Sequence, residues 1–107
     1  MKFTVNGMEW STKFVEKDSD NLLVEGTYRF GVCVFATNTI YIANNLTGMR
    51  CARTITHELT HAFIESHGMY SFKKFNHEQL CEFVANHNSE IERISDMIME
   101  RRINEIL

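Results

Sequence analysis

The sequence predicts an α+β domain: a small antiparallel or mixed N-terminal sheet followed by two or three helices. Three observations carry that expectation. Residues 1–45 are rich in β-branched and aromatic residues and are punctuated by turn signals. From residue 46 onward the apolar spacing lengthens to the period of a helix. A chain of 107 residues with 44% hydrophobic content has material for one core and no second one. The chain is therefore read as a single domain, with residues 1–45 as its strand region and residues 46–107 as its helical region.

The elements follow in order. Phe3 and Val5 alternate with polar neighbours, and Asn6-Gly7 supplies two residues that tolerate positive φ, which predicts a tight hairpin into the apolar-rich run from Met8 to Val15. After the polar cluster Asp18, Ser19, Asp20 and Asn21, the run from Tyr28 to Ala36 reads as a strand with a bulge or bend at Gly31. Thr37-Asn38 turns the chain into a last strand, Thr39 to Ala43. From about Thr47, residues Met49, Ala52, Thr56, Leu59, Ala62 and Phe63 fall on one face of a helix, and Gly68 is placed to end it. A polar, aromatic loop is expected from Met69 to Phe75. Asn76 and Gln79 form a capping-box pattern that starts a second helix near His77, and Ser89 with Glu92 repeats the pattern before Ile91, Ile94, Met97, Ile98, Ile103 and Ile106. The spacing leaves open whether the second and third stretches are one rod or two.

A net charge of −3 gives no broad basic surface for phosphate backbones, so direct nucleic-acid binding is not expected. Cys33, Cys51 and Cys81 form no C-x-x-C pair and read as reduced core residues of a cytoplasmic protein. The opening MKFTVNGMEW lacks the apolar run of a signal peptide, and no stretch of 18 apolar residues exists, so neither export nor a membrane partner is expected.

The chemistry is concentrated at His57-Glu58-Leu59-Thr60-His61. Histidines four apart on a helix project the same way and can hold one metal ion, Zn2+ being the first expectation. Glu58 lies about 100° round the helix from His57, where a carboxylate serves as general base towards water rather than as a ligand. A hydrolytic zinc site takes three protein ligands and leaves one position open. His67 stands at the spacing of the metzincin third histidine, but Ile64 occupies the place of the glycine that must break the helix, and an unbroken helix carries His67 about 9 Å along the axis from His61. Glu78 is the preferred third ligand, with Glu82 one turn on to accept the other ring N–H of a ligating histidine.

H-E-L-T-H followed by Glu78-x-x-x-Glu82 resembles the gluzincin arrangement, and the order of strand, motif helix and E-Q-L-C-E-F-V-A is similar to the compact ImmA/IrrE-like metallopeptidases of bacteria and their phages. The likeness spans residues 40–85; His77 stands where gluzincins often have asparagine, and Glu82 where aspartate is common. The resemblance implies a minimal zincin-like domain in which the glutamate matching Glu78 binds zinc, and a regulatory protein such as a repressor as target. The expected function is zinc-dependent hydrolysis of peptide bonds in an extended or flexible protein segment, with Glu58 moving the proton. Tyr70, His67 and Tyr28 are candidate donors to the developing oxyanion. If Thr39 to Ala43 is an edge strand bordering the site, its free backbone groups can pair with such a peptide. The alternative is a catalytically inactive metal-binding or protein-interaction module with a regulatory role, for which the Met97, Met99 and isoleucine stripe of the last helix would be the surface.

Overall fold

A computed structural model describes residues 1–68 and 76–106. The predicted α+β class holds, with a four-stranded mixed sheet preceding two helices. Asn6 (φ 48°) and Gly7 (φ 80°) close the hairpin between β1 (Lys2–Val5) and β2 (Met8–Val15), which pairs Phe3 with Trp10. A 3-10 turn (Asp20–Leu22) follows, with Ser19 Oγ accepting from the Asn21 N–H. It leads into a second small hairpin of β3 (Leu23–Val24) and β4 (Thr27–Tyr28), turned by Glu25 (φ 50°) and Gly26 (φ 81°). The expected strand from Tyr28 to Ala36 is thus divided, its second part being β5 (Gly31–Val34). Asn38 (φ 48°) turns the chain into β6 (Thr39–Ala43).

The sheet order β1-β2-β6-β5 corrects the expectation that Thr39 to Ala43 forms an edge. β6 is central, parallel to β2 and antiparallel to β5, and β5 is the edge. The reason is legible in burial: Ile40, Ile42 and Ala43 are at most 2% exposed, as a strand flanked on both sides requires.

Helix α1 (Gly48–Ser66) packs on this sheet and α2 (His77–Ile106) packs on α1. Gly68 (φ 71°) ends α1 as its spacing predicts, with its N–H bonded to the Glu65 carbonyl. The apolar face is displaced from the expected one: Cys51, Ile55, Leu59, Ala62 and Phe63 are buried, whereas Met49 is 77% exposed. Asn76 and Gln79 make the reciprocal capping box, Gln79 N–H to Asn76 Oδ1 at 2.8 Å and Asn76 N–H to Gln79 Oε1 at 3.1 Å. The second and third helical stretches form one rod of 30 residues, so the Ser89/Glu92 pattern caps nothing. One core joins Trp10, Ile40 and Ile42 of the sheet, Ile55, Leu59 and Phe63 of α1, and Ile91, Ile94 and Ile98 of α2.

Three hydrogen bonds fix the motif-bearing helix. Buried Trp10 Nε1 donates to Ser66 Oγ at 2.8 Å, and Asn6 Nδ2 donates to the Ser66 carbonyl at 3.0 Å, so the first hairpin grips the end of α1. Thr56 and Ser95 hydroxyls meet at 3.2 Å between the helices. Among the described residues no helix is long and apolar enough to cross a membrane. All three cysteines are free, and Cys81 is exposed rather than in the core.

Candidate functional site

The motif helix lies along the edge strand with unusually little separation. A Cβ on Gly31 would stand 2.8 Å from Thr54 Cγ2 and 2.9 Å from Glu58 Cγ, so only glycine lets β5 approach α1 here. Glu58 is consequently 6% exposed, pressed between helix and strand. Burial pushes its carboxyl above the usual carboxylate range, and His57 and Arg29 oppose that shift by favouring the charged form.

His57 and His61 project together as the i, i+4 spacing requires, with ring centroids 5.0 Å apart and planes at 75°. Both line a concavity of about 270 Å³ with Glu58, Arg29, Gly31, Cys33 and Phe35. Phe35 braces His61 edge-on at 6.5 Å. Desolvation lowers the His61 pKa and the neighbouring His57 lowers it further, which keeps its imidazole neutral and its lone pair available at neutral pH. The Cys33 thiol is pushed up to about 12 by burial, with Glu58 and then Glu65 adding to the effect, so it faces the histidines as a neutral group.

A larger cleft of about 770 Å³ shares Arg29, Gly31, His57 and Glu58 with this concavity and extends toward the start of α1 along Arg50, Arg53 and Thr54. Tyr28, Phe30 and Met49 form its exposed apolar rim.

Glu78 and Glu82 lie elsewhere. With His67, Gln79, Phe83, Asn86 and His87 they line a separate pocket of about 420 Å³ at the α1–α2 joint. His67 is the half-buried C-cap of α1 and packs on His87 at 4.2 Å between centroids and on Phe63 at 6.1 Å. Burial lowers the His87 pKa, His67 lowers it further, and Glu90 opposes both. Among the described residues no three His, Cys, Asp or Glu side chains gather to hold a metal ion. The structure therefore brings His57, Glu58 and His61 together and does not bring Glu78 or Glu82 to them. Of the oxyanion candidates, Tyr28 borders the cleft, His67 does not, and Tyr70 lies outside the described residues.

The fit to a metal is that of a donor pair. Two imidazoles on one helix face, one of them kept neutral, are groups that could hold a divalent ion, with the Glu58 carboxyl lining the same concavity. Sequence reasoning missed Cys33, Arg29 and Phe35, whose place at the site depends on which strand is the edge. It also passed over Arg50, Arg53 and Thr54, whose signal was available: they precede His57 by seven, four and three residues on the same helix.

No protein-family model matches this chain, and no curated protein or solved structure matches it significantly.

Proposed function

We propose that the chain is a zinc-dependent metallopeptidase acting on an extended or flexible protein segment. The observation that carries this reading is the buried Glu58, its pKa raised, lining one concavity with two clustered imidazoles beside an edge strand. His57 and His61 would hold the ion, which when bound supplies Lewis acidity towards a carbonyl and an acidified water. Glu58, whose raised pKa brings it nearer to neutrality, takes a proton from water and returns one to the departing amine. The outer edge of β5 offers backbone groups that an extended peptide can pair with, holding it beside His57 and Glu58. Tyr28, at the mouth of the cleft, is the donor proposed for the developing oxyanion.

Glu78 is retained as the proposed third ligand on the strength of its chain order after H-E-L-T-H, with Glu82 as its supporting acid. This role requires the first turn of α2 to leave the His67/His87 pocket and approach His61. The test is elemental analysis of untagged wild type, Glu78→Ala and His67→Ala after dialysis against a weak chelator. One zinc per chain, lost in Glu78→Ala and kept in His67→Ala, supports the assignment; the reverse pattern assigns His67. Peptidase activity should then fall by about 10²–10⁴-fold in Glu58→Gln with zinc retained.

A second reading, a metal-binding or protein-interaction module without turnover and with a regulatory role, is favoured by one observation: no third ligand gathers with the histidine pair among the described residues. Peptide capture without cleavage by a metal-loaded wild type would select it.

A further inference from the structure

The cleft beside the histidine pair is strongly and locally cationic. Arg29, Arg50 and Arg53 are three of the eleven basic residues of a chain whose net charge is −3, and among the described residues Glu58 is the only acid lining the same cleft. None of the three guanidinium groups is in an ion pair among the described residues; the pairs found there join Lys2 to Glu9, Arg93 to Glu90 and Arg101 to Glu105. Arg50 instead lies over the exposed ring of Phe30 at 5.2 Å, which holds its planar fork at the mouth of the cleft. An arginine held on an aromatic rim, with two further arginines lining the same cleft, is an arrangement that recognises carboxylates.

The arginines also have a register. Arg50, Arg53, Thr54 and His57 follow one another along one side of α1, and Arg50 and His57 are about 10 Å apart along the axis at 1.5 Å per residue. The strand runs beside the helix in the same direction: Phe30 meets Arg50, Gly31 meets Thr54 and Glu58, and Phe35 meets His61. A peptide extended along this groove at about 3.3 Å per residue covers the distance from His57 to Arg50 in about three residues.

We infer that the site selects an acidic peptide segment, with Asp or Glu side chains within about three residues of the bond at His57 and on the side towards the start of α1, held by Arg50, Arg53 and Arg29. This rests on the proposed site at His57, Glu58 and His61 for its register, but the charge preference is a binding property that needs no turnover. A segment of a folded or unfolded acidic protein fits better than a nucleic acid, because the cationic surface is one short groove rather than a broad face.

The test is fluorescence anisotropy in the presence of a chelator, with the full chain and four labelled probes: an Asp-containing decapeptide, its Asn and Lys counterparts, and a ten-nucleotide oligo-dT. Wild type should bind the Asp peptide at least about tenfold more tightly than the Asn peptide. The double variant Arg50→Glu/Arg53→Glu should lose that preference, while Lys13→Glu/Lys17→Glu, with the same change in net charge, keeps it within about twofold. Circular dichroism melting of each variant separates lost binding from lost folding. Equal loss in both double variants, equal binding of Asp and Asn peptides, or tighter binding of oligo-dT would each overturn the inference. Because metal is absent throughout, a chain without peptidase activity can still pass, and a zinc enzyme indifferent to charge fails this inference alone.

Discussion

At the scale of single residues, Gly31 and Glu58 define each other. The 2.8 and 2.9 Å approaches at Gly31 mean that Gly31→Ala must push Thr54 and Glu58 away from β5, an overpacking cost of about 1–3 kcal/mol readable by urea unfolding, with the placement of Glu58 lost alongside stability. Glu58 makes the complementary prediction. Its folded-state pKa is raised, so its protonated form is the one the fold prefers; that contribution is full below the ordinary glutamate pKa and is lost as pH rises through the folded value. In metal-free protein Glu58→Gln should therefore melt higher than wild type at pH 7, and the difference should shrink as pH falls towards 4. A larger gap at pH 4 than at pH 7 would refute the assignment of burial as the dominant cause. The H-E-L-T-H residues were legible in the sequence because their chemistry depends only on helical spacing. Cys33 and Phe35 were not, because a strand residue reaches the histidines only through the order of strands in the sheet.

At the scale of elements, the α1–α2 joint is a titrating contact. His87 faces His67, Phe63 and Phe83, with Glu90 on its own helix and Glu78 and Glu82 in the same pocket. Its pKa is lowered, so the neutral imidazole belongs to the folded state, and the stability it provides is present above the ordinary value of roughly 6.5 and fades as pH falls through the folded one. Between pH 7 and pH 5 in metal-free buffer, wild type should lose stability relative to His87→Gln; unfolding curves of both proteins at the two pH values decide it. Elements whose ends carry local chemistry were readable from sequence: the Asn6-Gly7 hairpin, α1 up to Gly68 and the Asn76/Gln79 start of α2. The β3–β4 hairpin was not, since its two-residue strands are too short to show a period and Glu25 is an uncommon residue at positive φ. The continuity of α2 was hidden by Ser89 and Glu92, which mimic a helix start but lie within an unbroken hydrogen-bonded rod whose apolar positions continue across them.

At the scale of the whole molecule, α2 reaches back across the sheet. Arg102 Nη2 donates to the Asn44 carbonyl at 2.8 Å, and its guanidinium lies over the Phe14 ring at 4.6 Å, tying the last turns of α2 to the ends of β2 and β6. Arg102→Ala should lower stability by about 1–2 kcal/mol, seen as a lower urea midpoint with the melting still in one step. Global placement was the least legible level: Glu78 and Glu82 were correctly put at the start of the second helix, but which histidines they would meet depends on how that helix enters the joint, and sequence spacing carries no such angle. The parallel seam between β2 and β6 has a consequence in time. It joins Ser11 to Thr39 and Val15 to Ala43 across a long intervening segment, whereas the first hairpin closes over two residues. Among the pairings of the sheet that loop costs the most chain entropy to close, so the seam should be the slow step of sheet formation. In the sheet β5 pairs with β6, so the groove beside the paired histidines, and with it the proposed hold on a peptide, exists only once those last strands have met.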